Sequence, residues 1–208
     1  MIILKNKSFE KREELLEAAL NEFTIKSYEE ASLNKIIKNA GISKGTFYYH
    51  FTDKQALYLY LLEASAAKKW DYINETYVSR PSQHNNDSIF DKFKAQARIA
   101  VDFAQKYPKY HELSRMFSKE KGNPIYNAAL ITLGGDSEIL LSSMIEKEFD
   151  AGSFREEYSK DFLIRTLSYL FTHFHEIYNQ DEDFELERML SQLDDYVNLI
   201  RFGIEKIN

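Results

Sequence analysis

An all-α fold, with short helices ahead of longer ones, is predicted for these 208 residues from three observations. Only 7 Gly and 3 Pro interrupt the chain, so most segments can run on as helix. Apolar residues recur three and four apart along most of the length, the period of a helix with one buried face. Runs alternating polar and apolar with β-branched residues are few, which argues against sheet.

The first helix is expected from about Phe9 to Thr24, with Leu15, Leu16, Ala19, Leu20 and Phe23 on its apolar face. Ser27-Tyr28-Glu29-Glu30-Ala31 is a short connector. Ser32 then offers a capping oxygen to a second helix, Leu33 to Ala40, whose inward residues are Leu33, Ile36, Ile37 and Ala40. Gly41 sits where one helix stops and the next starts, a place that favours positive φ. Ser43 caps a short third helix, and Asp53 a long fourth one carrying Ala56, Leu57, Leu59, Tyr60, Leu61, Leu62 and Ala66. Residues 80–88 read as a polar loop. Ser88 begins a helix that runs to about Lys106, before Tyr107-Pro108 stops it. Shorter helices follow over 109–117, 125–133 and 136–149, with breaks at Gly122-Asn123-Pro124, Gly134-Gly135 and Ala151-Gly152-Ser153.

The last two helices have the clearest stripes. Leu163, Leu167, Leu170, Phe174 and Ile177 step by four and three, as do Leu186, Leu190, Leu193, Val197, Ile200 and Ile204. Extra apolar residues flank each stripe: Ile164, Phe171 and Tyr178 on one, Met189 and Tyr196 on the other. A stripe this wide predicts burial on two sides, against the chain's own body and against a second copy in a four-helix interface. The dimer residues expected on this basis are Leu163, Leu167, Leu170, Leu190, Leu193, Val197 and Ile200.

The segment Ala40-Gly41-Ile42-Ser43-Lys44-Gly45-Thr46-Phe47-Tyr48-Tyr49-His50-Phe51 carries the most information. It reads as the turn and second helix of a helix-turn-helix. Phe47 and Phe51, four apart, share an inward face, while Lys44, Thr46, Tyr48, Tyr49 and His50 present polar groups suited to a DNA groove. Charge is distributed to match. Residues 1–55 hold 9 Lys+Arg against 8 Asp+Glu, whereas the remainder holds 18 against 25. From Leu33 to Thr52 there are three Lys and no acid, a local attraction for phosphates on a chain of net charge −6.

Taken in order, the N-terminal helix, Ser27-Tyr28-Glu29-Glu30-Ala31-Ser32-Leu33, Ile36, the segment 40–51 and Asp53-Lys54-Gln55-Ala56-Leu57 resemble the DNA-binding domain of the TetR family of bacterial transcriptional regulators. The match covers roughly residues 9–62. Ser27 stands where the family usually has Gly, and Ile37 where it usually has Ala. The resemblance implies a helix-turn-helix DNA-binding domain over 1–54 and a helical effector-binding and dimerisation domain over 55–208. It implies DNA contacts from Ser43, Lys44, Gly45, Thr46, Tyr48, Tyr49, His50 and Lys54. It also implies a ligand-responsive homodimer, most often a repressor, on an inverted-repeat operator in double-stranded DNA. An unknown small-molecule effector would sit in the helical body, where Phe103, Tyr107, Phe117, Tyr126, Phe171, Phe174, His175 and Tyr178 are the candidate lining.

Two other classes compete less well. The chain has no HExxH, P-loop, nucleophile elbow or dinucleotide fingerprint, so no enzyme, cofactor or metal site is expected. His173 and His175 lie on different sides of a helix and cannot share a metal from one face. A helical protein-interaction module would more often expose Leu or Met than Lys44, Tyr48 and Tyr49. With zero Cys and no stretch approaching 18 apolar residues, the expected setting is the cytoplasm, away from any membrane.

Overall fold

The computed structural model describes residues 10–79, 87–133, 136–174 and 186–204. The helices are α1 (Arg12–Phe23), α2 (Leu33–Asn39), α3 (Lys44–His50), α4 (Lys54–Val78), α5 (Ile89–Lys106), α6 (Pro108–Lys119), α7 (Pro124–Leu133), α8 (Asp136–Asp150), α9 (Lys160–Thr172) and α10 (Leu186–Ile204). The fold is all-helical, as the periodicity predicts.

Four helix starts follow the predicted caps, and Ser159 adds one that was not predicted. Ser32, Ser43 and Ser159 accept from the backbone amides of Lys35, Thr46 and Phe162. The Asp53 carboxylate accepts from the Ala56 amide at 2.8 Å, and the Ser88 hydroxyl from the Asp91 amide at 3.3 Å. Each cap satisfies a donor that the helix itself leaves unpaired. Two ends use glycine at positive φ, Gly41 at 62° after α2 and Gly152 at 74° after α8. At each, the following residue's amide reaches back to a carbonyl five residues earlier, Ile42 to Ile37 and Ser153 to Glu148.

The chain forms two compact units. One comprises residues 1–71 and 103–134, the other 72–102 and 135–208. The first is built on Leu15, Ala19, Phe23, Ile36, Ile37, Phe47, Phe51, Leu57 and Tyr58, with Leu113, Ile125 and Ala129 from α6 and α7 in the same core. Packing therefore joins α6 and α7 to the N-terminal helices, across the sequence division expected at residue 54. The second unit is built on Ile89, Phe90, Ile145, Phe154, Leu163, Leu167, Phe171, Phe174, Leu193 and Val197. The Phe93 ring stacks on Phe171 at 4.2 Å, and the Tyr196 hydroxyl donates to the Leu170 carbonyl at 2.8 Å.

That second core takes in residues expected at the dimer face. Leu163, Leu167, Leu193 and Val197 are buried inside the unit, while Leu170, Leu190 and Ile200 pack partly buried against it. Among the described residues, the large apolar side chains that α9 and α10 leave exposed are Phe162, Tyr169, Leu199 and Phe202. Four of the seven stripe residues thus face the unit's own core.

Candidate nucleic-acid interface

α3 is anchored from beneath. Phe47 is fully buried and stacks on Phe51 at 5.7 Å; Phe51 in turn meets the Tyr60 ring of α4 at 5.6 Å. The anchoring leaves the opposite face outward, where Tyr48 and Tyr49 are 56% and 50% exposed. Ser43, Lys44 and Gly45 are exposed beside them, and Thr46 and His50 are half-buried. The Tyr49 ring meets His50 edge-on at 5.0 Å. Ser43 and Thr46 share a hydrogen bond between their hydroxyls at 2.9 Å, which rigidifies the first turn. A Cβ placed on Gly45 would meet only the Ser43 hydroxyl, at an ordinary 3.6 Å. The fold itself therefore leaves room for a side chain at 45.

The turn ahead of α3 is tied to α1. Lys11 donates its ammonium to the Gly41 carbonyl at 3.0 Å, a contact across thirty residues that no local pattern announces. α1 and α2 are joined by a buried acid: Glu22 meets the Lys35 ammonium at 2.6 Å and accepts from the Ser32 amide at 3.2 Å. Burial works against the Glu22 charge, but the lysine and the amide outweigh it and hold the carboxyl below its ordinary range. Of the three lysines in the acid-free stretch, Lys35 thus has its charge engaged by α1, while Lys38 and Lys44 lie exposed.

Lys54, expected at the DNA, is engaged within the protein. Its ammonium donates to the carbonyls of Tyr28 at 2.7 Å, Ala31 at 3.1 Å and Glu29 at 3.2 Å, and lies 4.5 Å from the centre of the Tyr28 ring. Three donors meet three acceptors, so this lysine braces the α1–α2 connector. The family departures are equally structural. The Ser27 hydroxyl bonds the Glu30 carboxylate at 2.8 Å within the connector, and Ile37 is buried core.

The candidate effector residues divide between the units. In the first, Phe103 and Tyr107 meet at 5.0 Å with Tyr110 beside both, and Phe117 stacks on Tyr126 at 4.8 Å. In the second, Phe171 and Phe174 both pack on Phe93. His175 and Tyr178 lie outside the described residues. Among the described residues no helix is long and apolar enough to cross a membrane.

Comparison with known proteins follows the same geometry. Residues 15–61, which include α2, α3 and the start of α4, match the bacterial regulatory proteins of the tetR family. The chain is 37% identical over 59 residues to the uncharacterized HTH-type transcriptional regulator YdgC of Bacillus subtilis, covering 28% of this chain and 30% of that protein. It is 26% identical over 113 residues to IcaR, the negative transcriptional regulator of the biofilm operon icaADBC in Staphylococcus aureus, covering 54% and 58% of the two. The matched stretches thus span less than two thirds of either curated relative. Among solved structures, a putative TetR-family regulator from Syntrophomonas wolfei superposes with a TM-score of 0.72 at 20% identity, covering 96% of this chain and 98% of that one. One from Rhodococcus superposes with a TM-score of 0.70 at 15% identity, over 92% and 99%. These two share the fold over nearly the whole length.

Proposed function

Because the chain belongs to the TetR family of bacterial transcriptional regulators, we propose that it is a cytoplasmic homodimeric repressor that grips an inverted-repeat operator with α3. The observation that carries this reading is the exposed row Ser43, Lys44, Gly45, Tyr48 and Tyr49, presented on a helix that Phe47 fixes from below. A capped helix in an acid-free stretch suits a major groove. Lys44 and the two tyrosine hydroxyls reach phosphates or base edges, Thr46 offers a methyl and a hydroxyl, and His50 flanks them. Lys54 is left out of the contact set because its ammonium is already engaged.

The dimer is assigned to the outward apolar residues Phe162 and Tyr169 of α9 and Leu199 and Phe202 of α10. Two-fold symmetry then calls for two half-sites whose centres lie about 34 Å apart or a multiple of it. A small-molecule effector that prefers one conformer would release the DNA, and operator binding would weaken the effector by the same factor. The negative regulator among the relatives supports repression. The test is selection of bound duplexes from a randomised pool by the purified protein. An enriched inverted repeat supports the reading. Absence of enrichment at low salt, with and without a small-molecule panel, would overturn it.

A further inference from the structure

The backbone of Tyr28, in the connector between α1 and α2, is held at both ends by distant side chains. Its amide donates to the Glu120 carboxylate at 2.6 Å, reaching the C-terminal end of α6 from 92 residues away. Its carbonyl accepts from the Lys54 ammonium at 2.7 Å. The other Glu120 oxygen accepts from the Asn123 side-chain amide at 2.6 Å, inside the turn that joins α6 to α7. Asn123 also closes that turn through its backbone amide to the Glu120 carbonyl at 2.8 Å. The Tyr28 ring lies 5.1 Å from Tyr58 and 6.5 Å from Phe23, so the residue is fixed by packing as well.

Glu120 is an unusual residue for this place. It is 3% exposed, and an ionised carboxylate is costly to bury. Its charge is felt nearby: burial pushes the Tyr58 hydroxyl well above its ordinary range, and Glu120 adds to the shift. An apolar side chain would fill such a site at lower cost, but only an acceptor can hold an amide at a fixed position and direction. What it holds matters, because the connector leads directly through Ser32 into α2, and the Gly41 turn joins α2 to α3. On the other side, Phe117, one turn before Glu120 on α6, stacks on Tyr126 of α7.

We propose that Glu120 is a positioning residue for the DNA head: its carboxylate pins the Tyr28 amide to the α6–α7 turn, so that movement of α6 resets the angle of α3. This rests on the reading of α3 as the DNA-contacting helix. It adds the route by which a change at the aromatic residues of α6 and α7 reaches that helix.

The test compares Glu120→Ala and Glu120→Gln with the wild-type dimer on the operator selected by the wild type, on a half-site duplex, and on operators with the spacer altered by one or two base pairs. Wild-type protein should discriminate among spacers by about tenfold or more. Glu120→Ala should keep the half-site base preferences and affinity within about twofold and reduce spacer discrimination to about threefold or less. Glu120→Gln, which retains an acceptor for the Tyr28 amide, should restore it. A folded Glu120→Ala dimer with unchanged spacer discrimination overturns the proposal, as does equal loss of half-site base preference. If the alanine variant does not fold, Glu120→Asp keeps the charge and shortens the reach. An altered or broadened spacer preference then supports the pin, and an unchanged one overturns it. Failure of the wild type to select any sequence sinks the DNA reading and the pin together, and is distinguished by appearing in the unmutated arm.

Discussion

The Glu22 carboxylate and the Lys35 ammonium meet at 2.6 Å, with the acid 2% exposed and the lysine at the surface. The pair fastens α1 to the start of α2, on the path to the recognition helix. Because the carboxyl is held below the ordinary glutamate value of 4.5, its contribution is fully present above that pH and lost as pH falls through the lowered native value. Denaturation midpoints measured from neutral pH down to about pH 3 should therefore fall, and Glu22→Gln should flatten part of that fall. Lys35→Ala should cost about 1–3 kcal/mol at neutral pH, since it removes a charged partner from a buried acid. A pH profile identical in wild type and Glu22→Gln would show that the pair contributes nothing.

One substitution should have opposite effects at two nearby glycines. Gly45→Ala meets nothing closer than 3.6 Å and stands inside a helix, so it should stabilise the free protein by about 0.5–1 kcal/mol. If the α3 backbone lies close to DNA, the same methyl should lower operator affinity. Gly41→Ala forces a side chain into φ 62° and should destabilise by about 1–2 kcal/mol. Thermal denaturation and a binding titration on each variant separate the two effects. A Gly45→Ala protein that binds operator as tightly as wild type would remove position 45 from the contact surface.

Lys44 and Lys54 should behave differently although both are lysines near the start of a helix. Lys44→Ala should weaken DNA binding and reduce the slope of log affinity against log salt by about one, the signature of a lost phosphate contact. Lys54→Ala leaves three carbonyls without their shared donor, so its main effect should be on stability. Salt titrations of both variants, beside their melting curves, decide the assignment. Equal slope changes would return Lys54 to the DNA face.

Local signals in the sequence were strong wherever the chemistry was local. Ser32, Ser43, Asp53 and Ser88 cap the helices they were expected to cap, and Gly41 takes the positive φ its place demands. Phe47 and Phe51, four apart, face inward together. Long-range partners were invisible. Nothing beside Lys54 in the sequence announces the carbonyls of Tyr28, Glu29 and Ala31, and nothing marks Glu120 as the acceptor for an amide 92 residues earlier. The α9 and α10 stripes are ambiguous for a related reason. Periodicity establishes that Leu163, Leu167, Leu193 and Val197 share an apolar face, but it cannot say whether the chain's own helices or a second copy covers it.

That ambiguity can be resolved in solution, because the two kinds of apolar residue should fail in different ways. Leu193 is fully buried among Phe171, Tyr196 and Val197 in the second core, so Leu193→Ala should cost about 2–5 kcal/mol through lost burial and a cavity. Leu199 and Phe202 are 77% and 67% exposed in the single chain, so changing both to Glu should leave helix content unaltered. If they form the dimer face, the double variant should sediment as a monomer and lose the advantage of a full operator over a half-site. A free-energy loss confined to association identifies an interface, whereas one that lowers the monomer's own melting point identifies a core. A Leu199→Glu, Phe202→Glu protein that stays dimeric at micromolar concentration would place the partner's contact elsewhere on the second unit.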